Sequence, residues 1–453
     1  MANILSGSFG VEMAETSLKI EVVERKRFFV LLFSMLLIAF LLVTWSPRVS
    51  NWALFIGYGL YFASARLFAR AHRRRGKRPE TLPCWPKISV LIPAHNEESV
   101  IFKTVQLALN LDYPDYEVLA IDDRSTDGTL NTLRTLQIEN VGKRFQIVCR
   151  SEKAMPGKAA ALNEALPHCQ GEVLCVLDAD AWVGPDFLKA LVPYFSVSDV
   201  GAVQARKELL NPYQNWLTRC QQYEYALDAH LQFCRDAVQS CVELRGNGML
   251  LRRQVLESLG GWNERSLTED LDLSTRMHAA GWDIRYVATV SVKEEGVPNL
   301  LPLVRQRLRW TEGSIIRYLE YAENLLGKRQ VAFYAKLDML QFVFEFLAPF
   351  WLLLENGMRF VKSAGSQFSE TYVFFSLPAF WVLTAYFLLA AYQGISKFHQ
   401  GNVWQALRGA LMVYLYLSFL WLPIVFWLTG RILFRGERNL KWEKTQHYGT
   451  VVE

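Results

Sequence analysis

Residues 171–180 read GEVLCVLDAD, an apolar, partly β-branched run that starts at a glycine and stops at two carboxylates one residue apart. Bounded in this way by Gly and Asp, the run predicts a buried strand with its polar groups at the carboxyl end. In an open α/β sheet, ligands bind in the crevice beyond the carboxyl ends of the strands, which puts Asp178 and Asp180 where a substrate would lie. Two hard oxygen donors there suit Mg²⁺ or Mn²⁺ on a diphosphate. The competing role for Asp180 is to cap a helix expected to begin near Pro185.

Outward from this strand, residues 83–299 alternate strand-like runs with amphipathic helical patterns, which predicts an α/β domain built on a mostly parallel sheet. Residues 87–93 (KISVLIP) and 116–121 (YEVLAI) are its first two strands, and each ends in polar residues. The second runs into DDRSTDG at 122–128, a turn-rich cluster at the same sheet edge as Asp178. A carboxylate there can accept the imide N–H of uracil, a donor that cytosine lacks at that position. Plain turn and cap chemistry accounts for the cluster equally well. Lys158 opens a helical pattern after Pro-Gly, an end where the helix dipole disfavours a cation, so either a phosphate accompanies it or water does. The glycines of LRGNG at 244–248 suit close backbone approach to a ligand or a tight turn. Thr268, Glu269 and Asp270 precede a helical pattern through Leu271, Leu273, Met277 and Ala280. They form either a capped, acidic first turn or a base held at a helix start.

The flanks have a different texture. After a polar leader at 1–27, residues 28–78 read as a transmembrane hairpin with spans at 28–45 and 52–69, followed by Arg70, Arg73, Arg74, Arg75, Lys77 and Arg78. Beyond the domain, residues 300–326 place Leu301, Val304, Leu308, Ile315, Leu319, Ala322 and Leu326 on one stripe opposite Arg, Glu and Lys. That pattern, within a region taken as 300–357, suits a helix lying along a membrane surface, and it contains Gln306, Arg307, Arg309 and Trp310. The apolar run near 342–354 carries Glu345 and Pro349 and reads as interfacial or re-entrant. Two full spans are expected within 372–430, at 372–391 and 407–428, followed by a basic tail at 431–453. By the positive-inside rule both termini and the domain are cytoplasmic, in a multi-pass membrane protein.

Composition agrees with that division. With 453 residues, 51% of them hydrophobic, 14 Trp and 28 Phe, the chain is too apolar for an ordinary soluble protein. A net charge of +5 without a Lys/Arg tract interleaved with aromatics argues against a nucleic-acid partner. The seven cysteines lack the close pairs that zinc and redox sites use, as expected of free thiols in a reducing compartment.

Taken in order, IPAHNEE, IDDRSTDGT, PGKAAALN, LDADA, RGNGM, TEDLDL and RQRLRW, between residues 88 and 321, resemble the family 2 glycosyltransferases. These are membrane-associated inverting enzymes with a GT-A-like nucleotide-sugar-binding domain. The resemblance implies that Ala94, Glu97 and Asp123 line a uridine pocket, that Lys158 and Asp178 face the nucleotide, and that Asp180 holds the metal. It further implies that Asp270 is the general base and that Gln306, Arg309 and Trp310 flank the diphosphate and the acceptor. Within the family, GAVQARKELLN, ALDAHLQ, ELRGNGMLLRRQ, GGWNE, EEGV and RWTEGSIIRYLEY are similar to stretches of the cyanobacterial β-monoglucosyldiacylglycerol synthases, which glucosylate diacylglycerol. The chain departs from their pattern in having Ala-Ala after Lys158 and Thr-Glu-Asp as its acidic motif.

The implied reaction is transfer of a sugar, with UDP-glucose the expected donor, to diacylglycerol with inversion, giving a β-linked product and using Mg²⁺ or Mn²⁺. A processive polysaccharide synthase of the cellulose, chitin or hyaluronan type shares these motifs. Its polymer needs a channel that about four spans do not enclose. A sugar-nucleotide sensor without catalysis would have no chemical need for Asp180, Asp270 and Arg309 together.

Overall fold

The computed structural model describes residues 84–327 without a break, together with 26–42, 44–45, 336–338, 378–399, 401–432, 449 and a few positions between 346 and 361. Its sheet contains β1 (Ile88–Ala94), β2 (Tyr116–Asp122), β3 (Phe145–Cys149), β4 (Val173–Val176), β5 (Trp182–Val183), β6 (Val200–Leu209), β7 (Met249–Arg252) and β8 (Asp283–Glu294). The strand order is β3-β2-β1-β4-β7-β6-β8-β5. β3, β2, β1 and β4 run parallel, as do β6 and β8, while β7 enters antiparallel between β4 and β6 and β5 pairs antiparallel with β8. The mostly parallel α/β sheet expected from the sequence is present, with one reversed strand at its centre.

Helices cover both faces. On one side Val90 and Ile92 pack with Ile101 and Val105 of α2 (Ile101–Ala108) and Leu133 and Leu136 of α3 (Thr129–Glu139), α1 being the helix at 26–42. On the other, Leu91 and Leu119 pack with Leu162 of α4 (Lys158–Ala165) and with Leu273 and Met277 of α6 (Glu269–Ala279), α5 being Trp216–Ala237. A strand buried on both faces must be continuously apolar, which is why KISVLIP and GEVLCV show no alternation. Gly171 admits close packing where β4 begins, since a Cβ there would lie 2.4 Å from the Ser89 amide nitrogen.

β4 is shorter than the run that announces it. Beyond Val176, which pairs with Met249, the partner strand ends, and the amide of Asp178 turns to the Asn247 side-chain oxygen at 3.1 Å. The two carboxylates thus leave the ladder and project from the sheet edge. Register does the rest: Ala94 pairs with Asp122 and Leu91 with Val176, so β1, β2 and β4 end at one edge.

Three long helices complete the described chain: α7 (Leu300–Gly327), α8 (Pro378–Phe398) and α9 (Val403–Gly430). Among the described residues α9 is the one helix long and apolar enough to cross a membrane. The described part of the expected 372–391 span belongs to α8, whose Ala390, Ala391 and Ile395 pack on Cys220, Tyr223 and Ala226 of α5. α1 buries Phe28, Leu32, Met35 and Ala39 against α7 and α9 and leaves Phe29, Phe33, Leu37 and Phe40 exposed. The expected span at 52–69, the basic cluster at 70–78, the leader up to residue 25, residues 372–377 and the tail from 433 except position 449 lie outside the described residues.

The expected amphipathic helix is α7, but its faces need correcting. Leu301, the head of the expected apolar stripe, is 61% exposed, whereas Leu303, Ile315 and Leu319 are buried. Arg305 of its charged face is exposed, but other charges on it are buried in ion pairs. Arg307 pairs with Glu224 of α5 at 2.7 Å, Arg317 with Glu243, and Glu312 with Arg431. Buried ion pairs of this kind present the same periodicity as a solvated face, so sequence alone does not tell the two apart. Asp338, a costly residue in hydrocarbon, is held by Arg235 at 2.7 Å. No disulfide joins the cysteines, all seven of which are free.

Candidate active site

At the end of β1, Ala94 is buried and its carbonyl accepts the amide of Asp123 at 2.8 Å. Glu97 is buried as well, its amide donating to the Thr129 hydroxyl at 2.7 Å. The acidic cluster after β2 divides residue by residue between its two candidate roles. Asn96 accepts the Thr126 amide at 2.7 Å and Asp127 accepts the Thr129 amide at 3.0 Å, which is turn and cap chemistry. Asp123 instead lines the cavity described below. Its carboxylate accepts from Arg150 at 2.6 Å, from Arg124 at 2.9 Å and from the Gly157 amide at 3.1 Å. Burial pushes this carboxyl up, but the Arg124 hydrogen bond, the Gly157 amide and Arg150 outweigh it and hold it below the usual carboxylate range.

At the end of β4, Lys158 binds the Asp178 carboxylate, donates to the Gly246 carbonyl at 2.8 Å and lies 3.4 Å from Glu269. Desolvation opposes its charge, yet Asp178, Glu269 and Asp270 together raise its pKa above the usual lysine range. The helix-start lysine therefore has carboxylate partners in this structure. Asp180 does not cap the following helix: the residue at that cap position is Asp186, while Asp180 is 4% exposed and accepts the Glu295 amide at 2.8 Å. The LRGNG turn binds these pieces together. Asn247 is fully buried between the Asp178 amide and Glu294, and Gly246 has φ +74°. A Cβ on Gly246 would fall 3.1 Å from the Asp270 carboxylate and 3.4 Å from Lys158 Nζ, so only glycine lets this backbone approach both.

Asp270 sits in the first turn of α6, half-buried, with one carboxylate oxygen on the Leu271 amide at 2.8 Å. Thr268 holds the helix-cap position but makes no side-chain cap bond, so the capping reading fails in its usual form. Desolvation and the neighbouring Glu269 charge push the Asp270 carboxyl up to about 6, against the opposing pull of Lys158, the Leu271 amide and Arg245. A carboxylate so placed is a better proton acceptor than a solvated one. From α7, Gln306, Arg309 and Trp310 reach the same cavity. Burial pulls the Arg309 guanidinium below its usual range despite Glu269, Asp270 and Asp178.

These groups share one cavity of about 930 Å³. Ala94, Glu97, Asp123, Lys158, Asp178, Asp180, Asp270, Gln306, Arg309 and Trp310 all line it, so every residue to which the resemblance gives a site role converges there. Sequence reasoning named Arg307 without giving it a role, and it missed Glu224. Arg307 stacks 4.2 Å from the Trp310 ring centroid, and Glu224 also accepts the Tyr416 hydroxyl at 3.1 Å. The i, i+3 spacing of Arg307 and Trp310 was an available signal; nothing in the sequence marked Glu224. The apolar helices add hydrocarbon to the wall, including Phe387, Leu417, Ile424 and the exposed Leu353, Leu422 and Phe426. The cavity thus runs from the sheet edge to an apolar mouth.

Carboxylates outnumber cations on the polar wall, an imbalance that a divalent cation would offset. Among the described residues no group of three or more His, Cys, Asp or Glu is arranged to hold a metal. The Asp178/Asp180 pair therefore fits the mode in which Mg²⁺ takes one or two carboxylates and completes its shell from phosphate and water.

Residues 86–313 match the family described as glycosyltransferase-like family 2. The chain belongs to the family 2 glycosyltransferases. It is 37% identical to the β-monoglucosyldiacylglycerol synthase of Nostoc sp., over 83% of this chain and 80% of that protein. It is 33% identical to a probable glucomannan 4-β-mannosyltransferase of Oryza sativa, over 56% of this chain and 46% of that protein. Among solved structures, a mannosyltransferase from Pyrobaculum calidifontis in complex with GDP-mannose and Mn²⁺ superposes with a TM-score of 0.53 at 22% identity, covering 82% of this chain and 98% of that one. The shared fold is the GT-A-like α/β fold.

Proposed function

We propose that this family 2 glycosyltransferase moves glucose from UDP-glucose to the free hydroxyl of a 1,2-diacylglycerol, forming a β-linked monoglucosyldiacylglycerol. The observation that carries this reading is the two-sided cavity, whose wall joins Asp270 and Arg309 to the hydrocarbon of α8 and α9. An acceptor with a polar head and acyl chains fits such a wall, and a soluble sugar leaves its apolar part uncovered. The similarity to a diacylglycerol-glucosylating relative supports the same choice.

In this mechanism Asp270 accepts the proton of the acceptor hydroxyl while that oxygen bonds to the anomeric carbon. The bond from that carbon to the diphosphate breaks on the opposite face, its electron pair leaving with UDP, so an α-linked donor gives a β-linked product. Lys158 and Arg309 set their charges against the departing diphosphate. Ala94, Glu97 and Asp123 border the uridine, and Gln306 and Trp310 border the acceptor. Asp178, which also faces the nucleotide, and Asp180 would hold Mg²⁺ or Mn²⁺, whose charge, when bound, offsets that of the diphosphate.

We further assign the chain as a multi-pass membrane protein with its catalytic domain in the cytoplasm. The basic residues at 70–78 and 431–444 and the exposed apolar side chains of α1 and α9 support this. The test is to incubate the full chain in vesicles with labelled UDP-glucose, UDP-galactose or UDP-N-acetylglucosamine, with and without dioleoylglycerol. Label from UDP-glucose should enter a chloroform-soluble glycolipid only when dioleoylglycerol is present. Label in an insoluble polymer instead would replace this reading with polysaccharide synthesis.

A further inference from the structure

The apolar part of the cavity wall contains two hydroxyls that the mechanism above does not use. Tyr414 and Ser418 stand one turn apart on α9, and both line the cavity that Asp270 lines. The lining residues around them on the same helix, Leu417, Leu420, Leu422, Ile424 and Phe426, are hydrocarbon, and Trp421 adds a single indole N–H. A hydroxyl beside hydrocarbon ordinarily finds a partner, because leaving it unmade forfeits its hydrogen bond to water. In an apolar helix the usual partner is the carbonyl four residues back, and Thr311 uses that outlet on α7, donating to Arg307 at 2.8 Å. Ser418 makes no such bond and has no hydrogen-bond partner among the described residues. The Tyr414 hydroxyl lies 3.2 Å from Thr384 Oγ1 of α8. If Thr384 donates in that pair, the Tyr414 proton is left for the cavity.

We infer that Tyr414 and Ser418 form a subsite for the ester carbonyls of the acceptor lipid. The inference rests on the diacylglycerol reading above and adds to it the feature recognised. A diacylglycerol carries two ester carbonyls that accept hydrogen bonds and donate none, just below the hydroxyl that reacts. Two donors on the apolar wall match them in chemistry, while the lining leucines and phenylalanines accept the chains without choosing among them. A diether lipid of the same length offers weaker ether oxygens in place of the carbonyls, so the two hydroxyls discriminate between the lipids by what they leave unpaired.

The experiment compares 1,2-dioleoylglycerol with its 1,2-dialkyl ether analogue as acceptors for the full chain in mixed micelles. The unmodified enzyme should favour the diester by about tenfold in kcat/KM, equivalent to about 1.4 kcal/mol. Tyr414→Phe with Ser418→Ala should abolish that preference through a higher KM for the diester, leaving the rate on the diether and the KM for UDP-glucose unchanged. Ser418→Thr keeps a hydroxyl and should keep the preference. Should the double variant not fold, Ser418→Ala alone is read, and a reduced preference is then the expected result. An unmodified enzyme that does not distinguish the lipids, or variants that lose rate equally on both, would overturn the subsite while leaving the lipid acceptor intact. Formation of no glycolipid from either lipid would instead remove the reading on which the subsite rests.

Discussion

Asp123 and Asp270 are the same residue type on the wall of one cavity, and their surroundings drive them in opposite directions. Asp123 is met by Arg124, Arg150 and a backbone amide, which hold it ionised. Asp270 is partly desolvated beside Glu269, and its carboxyl rises to about 6. One is a fixed anion suited to a partner that donates a hydrogen bond; the other is poised to take up a proton and release it. In the proposed mechanism the contrast places a binding end of the cavity at Asp123 and a reacting end at Asp270.

Three experiments break or sharpen that contrast. The largest effect is expected from Asp270→Asn, which keeps the shape and removes the proposed proton acceptor. Turnover should fall by about 10²-fold to 10⁴-fold while UDP affinity stays nearly intact, as isothermal titration and glycolipid assays on one preparation would measure. Near-normal turnover would eliminate Asp270 as the base.

Asp123→Asn should act mainly on binding and stability. The substitution removes the 2.6 Å charge partner of Arg150, whose side chain is 3% exposed, and leaves it only Glu164 at 2.8 Å. A loss of about 1–3 kcal/mol in thermal or chemical unfolding is expected, with weaker UDP binding and a smaller loss of turnover than for Asp270→Asn. The pH dependence has a definite sign. A carboxyl held below its unfolded value stabilises the fold above that value, and the contribution is lost as pH falls through the folded value, so the variant and the parent should converge in stability in acid.

The smallest effect is expected from Glu269→Gln. As the proposed base, Asp270 must be deprotonated to act, so kcat/KM should decline as pH falls through about 6. Removing the neighbouring negative charge lets Asp270 relax toward the ordinary carboxylate range, and the acid limb of the profile should move to lower pH. An unmoved limb would show that Glu269 does not tune Asp270.

The polar end of the cavity was legible in the sequence because strand ends announce themselves. Apolar runs that stop at Asp122, Asp123, Asp178 and Asp180 mark one sheet edge, and the acidic start of α6 marks Asp270. The ion pairs behind them were not legible. Glu224 and Arg307 lie 83 positions apart and meet only because α7 packs across α5. Hydrophobic periodicity records which face of a helix is apolar, and it is silent on whether the polar face meets water or a buried partner.

By itself, then, the sequence determined the alternation of strands and helices, the sheet edge that gathers the carboxylates, and the family, since each depends on local pattern or ordered motifs. Only the tertiary structure decided that Lys158 is held by Asp178, that Gly246 must approach Asp270, and that α9 continues the wall of their shared cavity into hydrocarbon. Those outcomes depend on distances between groups remote in the chain. Charge, proton affinity and desolvation respond to such distances within a few ångströms, a scale that residue order does not encode.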